Sequence, residues 1–207
     1  MSAPEMSDQI SPPTAMRRLG TPGAAELAGL SAMFEDLQTV LRCCERLVTN
    51  LGTVDGGEPD GVVVEAVWTT ALLSYARCFV AAKARPALTD KDLTAAQPEG
   101  DVLKWHQVVL RLRDHYADPT VNPRERFSVG VAQDESGAAS GLGITSARQP
   151  LVDDVTVRQL GAVAFALSGL VGDRIGAAQQ KVYDEAKDTG AAELNKLQQL
   201  DVSAPAG

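Results

Sequence analysis

Apolar residues recur along this chain at helical spacing in four long stretches, and one short stretch of strand-like alternation separates the third from the fourth. From about Ala25 to Leu51 the apolar positions are Leu27, Leu30, Phe34, Leu37, Leu41, Cys44, Val48 and Leu51. Steps alternating between three and four residues predict a helix carrying a heptad seam. Asn50, Gly52 and Asp55-Gly56-Gly57 end it. A second helix should begin after Asp60, a capping residue, and run to about Ala84. Arg85-Pro86 stops it, because the residue before proline is pushed out of the helical region. Its stripe is Val64, Val67/Trp68, Ala71/Leu72, Tyr75, Phe79 and Ala82.

A polar connection follows, with room for a helical turn at Thr89–Ala95. Asp101 caps a third helix that places Val102, Trp105, Val109, Leu112 and Tyr116 on one face, before Pro119 and Pro123. Phe127-Ser-Val-Gly-Val-Ala132 alternates as a half-buried strand does, and Leu142-Gly-Ile-Thr145 can pair with it. Turn residues at Asp134–Gly141 lie between them, so a β-hairpin is predicted at about 127–147. The last helix starts at Asp153 or Asp154 and reaches about Asp188, with Leu160, Val163, Leu167, Leu170/Val171, Ile175, Ala178 and Val182 inward. Gly161, Gly169, Gly172 and Gly176 would each weaken an isolated helix by about 1 kcal/mol. Their retention predicts close approach to a neighbour.

The pattern predicts a mainly α fold, an antiparallel four-helix bundle with a small β-hairpin between helices three and four. One domain should span residues 25–190. Residues 1–24 hold few large apolar groups and are expected to be disordered, and residues 191–207 to form a frayed tail.

Composition narrows the function classes. No run of about 18 apolar residues is present, so no membrane-spanning helix is expected, and the N-terminal residues do not read as a secretion signal. A cytoplasmic location is expected, where Cys43, Cys44 and Cys78 would stay reduced. Two histidines and the lack of a Cys-x-x-Cys pair argue against a structural zinc site, and no metal or other cofactor is anticipated. Neither Glu35-Asp36 nor Asp153-Asp154 has a visible partner for a metal. A net charge of −8 argues against non-specific nucleic-acid binding. The middle of the chain differs: residues 77–126 hold nine Lys/Arg against seven Asp/Glu, a local +2 that leaves −10 on the rest.

Candidate chemistry gathers at the end of the third helix. Arg111 and His115, four residues apart, share a helical face, with Arg113, Asp114 and Asp118 close by. A histidine can serve as acid or base at a ribose hydroxyl while an arginine neutralises the phosphate, which is the minimum for metal-independent RNA cleavage. The same residues also suit a solvated helix end, where cations favour the dipole. Asn122 could orient a phosphate or simply form an Asn-Pro turn. Tyr75, Arg77, Arg85 and His106 could extend a polar groove for RNA between helices two and three, or be surface arginines and an interfacial histidine.

Arg113-Asp-His-Tyr-Ala-Asp-Pro-Thr-Val-Asn-Pro123 resembles the motif of HEPN-domain proteins, Arg-[Asn/Asp]-x-His-x-Ala-His before a loop. Tyr75-Ala-Arg-Cys-Phe79 with Arg85 is also similar to small bacterial HEPN-like proteins, and the resemblance covers roughly residues 30–185. It implies a HEPN-like fold, usually dimeric through the motif helices, and a metal-independent ribonuclease of the toxin or defence type. Catalysis would then rest on Arg113 at the phosphate and His115 as acid/base. Two departures stand out. His115 meets the inner histidine only if one residue is deleted, and Asp118 takes the place of the terminal histidine. The alternative is a non-catalytic oligomeric or structural helical protein, such as a phage or plasmid might encode, with the helix-one seam docking a second copy or a partner.

Overall fold

The side chain of Thr21 accepts the amide of Ala24 at 3.2 Å, and Pro22 follows at the first helical position with its φ already set. These residues open α1 (Pro22–Leu51). The computed structural model describes residues 15–52, 58–81, 85–96 and 100–201. In chain order its elements are β1 (Met16–Arg17), α1, α2 (Gly61–Arg77), α3 (Asp90–Ala95), α4 (Val102–Ala117), β2 (Glu125–Gln133), β3 (Ala139–Arg148), α5 (Asp154–Lys187), α6 (Ala191–Lys196) and β4 (Gln199–Leu200). The protein is mainly helical, with two small antiparallel sheets.

Each long helix starts on a carboxylate or hydroxyl that accepts an otherwise orphaned amide. Asp60 accepts from Val62 and Val63, Asp101 from Lys104, and Asp153 from Thr156. These are the caps the sequence predicts. The short α3 is closed by a capping box between Thr89 and Asp92.

Helix α1 packs most extensively on α5 and then on α2, and α2 on α4. The core holds Met33, Leu37, Val40, Cys44 and Leu47 of α1, with Val64, Trp68, Leu72 and Tyr75 of α2. Val109 of α4 and Val157, Leu160, Ala164, Leu167 and Val171 of α5 complete it. Burying each large aliphatic side chain contributes about 2 kcal/mol before entropy is charged against it.

Several expectations are corrected. The buried line of α1 runs through Leu30, Met33, Leu37, Val40, Cys44 and Leu47, while Leu27, Phe34, Leu41 and Val48 are only half-buried. The inward face is thus turned toward Met33, Val40 and Leu47, because two helices, α2 and α5, flank α1 rather than one. The line through Met33, Val40 and Leu47 packs inside the chain.

Helix α2 ends at Arg77, short of the proline that was to stop it. Cys78 and Phe79 instead donate to Tyr75 and Ala76 three residues back, and Leu88 donates to the Cys78 carbonyl at 2.8 Å, turning the chain away. Ala82, the last residue of its predicted stripe, lies outside the described residues.

Two terminal expectations also change. Met16 pairs with Leu200 and Arg17 with Gln199, and the Arg17 guanidinium donates to the Leu197 carbonyl at 3.1 Å. Backbone pairing between distant segments supplies order that local composition could not reveal. Residues 1–14 and 202–207 of those two segments lie outside the described residues.

The β2–β3 hairpin is antiparallel, with Val129 opposite Ile144 and Val131 opposite Leu142, and a bulge between Ala132 and Gln133. Asp134 shapes the turn by accepting from Ser136 and Ala138, and Gly137 supplies the φ of +83° that other residues resist. Half-burial was predicted, yet nearly every residue of both strands is exposed. The hairpin stands off the helices and makes no extensive contact with another element.

The α5 glycines divide. A β-carbon at Gly161 would meet the Cys44 Cβ at 3.5 Å, whereas Gly169, Gly172 and Gly176 face open space. The 3.5 Å approach is an ordinary van der Waals contact, so close packing demands glycine at none of the four positions. Among the described helices α5 alone is long and apolar enough by composition to cross a membrane. Its inner residues, however, are part of the core packed on α1.

Candidate functional site

The end of α4 and the loop into β2 carry the residues singled out for RNA chemistry. Arg111 and His115 are both exposed on the same helical face, and the His115 ring meets Tyr116 edge-on at 5.7 Å. Arg113 is half-buried, with its Nε 2.7 Å from a carboxylate oxygen of the adjacent Asp114. The contact is an ion pair by distance, without hydrogen-bond geometry at Nε.

Asp118 closes the helix. It accepts from the Thr120 hydroxyl at 2.7 Å and the Thr120 amide at 2.8 Å. The Thr120 hydroxyl first, then its amide, hold the Asp118 carboxyl below the ordinary carboxylate range. Asp118 is thus a fixed anion, which repels phosphate. Asn122 accepts from the amides of Arg124 and Glu125 at 2.9 and 3.3 Å. It forms the turn that launches β2, and its carbonyl is committed there.

The second set does not form a groove. His106 is buried, and its Nδ1 shares a hydrogen bond of 2.9 Å with the Tyr75 hydroxyl. Burial raises the Tyr75 pKa and lowers that of His106, so the phenol keeps its proton and the imidazole stays neutral. Phe79 packs on the same imidazole at 4.3 Å. His106 is an interfacial core histidine and is corrected as an RNA contact.

Arg77 and Arg85 converge on Asp36 of α1. Arg77 donates Nε at 3.0 Å and Nη2 at 2.5 Å to one carboxylate oxygen, and Arg85 donates to the other. Arg77 also reaches the Ser74 hydroxyl at 3.0 Å. Both arginines are therefore engaged within the fold, which corrects their assignment to phosphate. Asp36 is the residue that sequence reasoning passed over. Its signal was weak: a carboxylate on a helix face next to hydrophobic neighbours, with its cations 41 and 49 residues away.

A cleft of about 450 Å³ lies beneath the hairpin, between the start of α2 and the base of the two strands. Asp60, Glu65, Tyr116, Arg124, Glu125 and Arg148 line it with others. Two of its acids are paired, Glu65 with Arg124 at 2.8 Å and Glu125 with Arg148 at 3.5 Å, while Glu58 and Asp60 leave the lining acidic. Burial, aided by Glu65, pushes the Tyr116 phenol up, so it stays protonated. The acidic lining makes the cleft a poor seat for a phosphate. A second cleft of about 450 Å³ lies where α4 and α5 begin, with Trp105 donating to Gln159 at 2.7 Å on its wall.

The thiols are quiet as well. Cys43, Cys44 and Cys78 are free, and burial first, with Cys43 beside it, pushes Cys44 up to about 12. Cys78, buried next to Asp36, is pushed up to about 12 too, which leaves both without thiolate at neutral pH. Among the described residues no group of three or more His, Cys, Asp or Glu could hold a metal ion. No protein-family model matches the chain, and no curated protein or solved structure matches it either.

Proposed function

We propose that this protein is a non-catalytic association module of HEPN-like build. In this reading α1, α2, α4 and α5 form the antiparallel four-helix bundle, and the β2–β3 hairpin is the arm through which it binds another protein chain. The observation that carries the reading is the hairpin itself, two long strands with an apolar face that no described element of the chain covers. The motif residues support it from the other side. Arg113 is paired with Asp114, Asn122 is used in a turn, and Asp118 is an anion where the resemblance calls for a histidine. Three free thiols suit a cytoplasmic site of action.

Incubating purified protein with single-stranded RNA in the absence of metal tests the loss of cleavage. Intact RNA is expected. Cleavage that disappears in an Arg113→Ala/His115→Ala variant would overturn the reading and establish a divergent ribonuclease.

One observation favours RNA contact as a second reading. Lys104 and Arg111 are exposed seven residues apart on one face of α4, with His115 four residues further on, and neither cation has an ion-pair partner among the described residues. Fluorescence anisotropy with a labelled RNA at low salt would detect it, and Arg111→Glu should abolish the signal.

A further inference from the structure

The hairpin divides its residues cleanly between two faces. Phe127, Val129 and Val131 of β2 lie on the same side as Leu142 and Ile144 of β3, since Val129 pairs with Ile144 and Val131 with Leu142. The opposite side carries Ser128, Gly130, Ala132, Gly141, Gly143 and Thr145. All five large apolar side chains are 57–77% exposed. Together they present on the order of 500 Å² of apolar surface, at the upper end of the largest patch on an ordinary monomer. A two-stranded hairpin alone is also only marginally stable in water and needs its apolar face covered.

We infer that the cover is a second copy of this chain, whose hairpin stacks on the first face to face across a two-fold axis, with the two arms pointing in opposite directions. This inference rests on the association reading above and names its partner. Three features of the arm favour a copy of itself. First, the apolar patch sits midway along the strands, so a two-fold axis through Val129 and Ile144 lays each patch on the other. A face of branched aliphatics with one phenylalanine packs well on its own image.

Second, the ends of the arm are complementary in charge. The tip carries Asp134 and Glu135, while the base carries Arg124, Arg126 and Arg148, with Glu125 the one acid among them. Antiparallel stacking brings the acidic tip of one arm to the basic base of the other. Arg148, whose side chain is 87% exposed even while paired with Glu125, is available to receive it. Parallel stacking would set tip against tip, two acids against two.

Third, the area is adequate. Two such faces remove about 1,000 Å² from water, which reaches the lower bound for a specific interface.

The experiment is sedimentation velocity of the full chain over a concentration series, beside two variants checked by circular dichroism. Val129→Thr/Leu142→Thr/Ile144→Thr keeps strand-forming side chains but removes the apolar face. Glu135→Lys leaves the apolar face intact and places two cationic ends together. The wild type is expected to reach the mass of two chains and the triple variant to remain at one. Glu135→Lys should weaken association about fivefold, the scale of the two exposed ion pairs that the two-fold axis generates, and adding Arg148→Glu should restore it.

A wild type that stays at one-chain mass throughout overturns the inference, and so does a dimer that all the variants preserve. Neither result bears on RNA cleavage, so the association reading is judged separately by the metal-free incubation.

Discussion

Removing the carboxylate of Asp36 should destabilise the protein through a place that no apolar pattern marks. Asp36 sits on α1 with its side chain 13% exposed, and it holds Arg77 at the end of α2 and Arg85 beyond it. The two arginine side chains are 54% and 23% exposed. Exposed pairs contribute about 0–1 kcal/mol, whereas stripping one partner from a buried pair costs about 3–5 kcal/mol. The triad lies between these limits, so Asp36→Ala should cost about 2 kcal/mol, or roughly 4–8 °C in melting temperature for a chain of this size. The partners should rank by burial. Arg85→Ala is expected to cost about 1 kcal/mol and Arg77→Ala about 0.5 kcal/mol, because in each case Asp36 retains one cation. Urea unfolding followed by circular dichroism reads all three. The reasoning fails if Asp36→Ala unfolds within about 0.5 kcal/mol of the wild type, or if Arg77→Ala costs more than Arg85→Ala.

Other expectations follow from single positions. Gly169→Ala, Gly172→Ala and Gly176→Ala should each stabilise α5 by about 0.5–1 kcal/mol, because a β-carbon there meets open space; a loss of stability in the urea midpoint would show that another surface closes on that face. Leu167→Ala, at a site with no exposed surface, should cost about 3 kcal/mol in the same assay. The folded His106 pKa lies below the ordinary 6.5, chiefly through burial, so the unfolded chain takes up the proton first. Stability from this residue is therefore intact above pH 6.5 and falls as pH drops from there toward the folded value. Comparing midpoints at the two ends of that window should show a loss in the wild type that His106→Gln lacks, and equal losses in both would refute it.

Three helices were legible because capping residue and apolar period agree at their starts. Asp60, Asp101 and Asp153 each precede an inward stripe and cap a helix in the structure, whereas α1 begins at Thr21, ahead of the start its apolar period marks. The phase of α1 was less legible. Two-sided packing selects Met33 and Val40 over Phe34 and Leu41, and nothing on α1 itself records how many neighbours it has. Arg77 and Arg85 were read as cations free to bind because their acid lies far away in sequence. Ion pairs of that kind have no local pattern. The candidate site suffered from the same blindness. A short run such as Arg113–Asn122 shows which groups are present but not which are already engaged, and here Asp114, Thr120 and the backbone of β2 engage them first.

The alternation in β2 and β3 was read correctly as amphipathic and wrongly as half-buried, and the difference bears on function. Period-two alternation records that one face avoids water; it does not record what covers that face. The helical core is closed without the hairpin, since α1, α2, α4 and α5 bury one another and the inner face of each is occupied. Among the described residues, nothing covers the five large apolar side chains on one side of this strand pair. Had the face served only as a linker between α4 and α5, polar residues at Val129, Leu142 and Ile144 would have closed the same turn and spared the exposed surface. The large side chains are accordingly best explained by a surface outside the chain, and the opposed charges at tip and base make a second copy of the same arm the one this sequence can specify by itself.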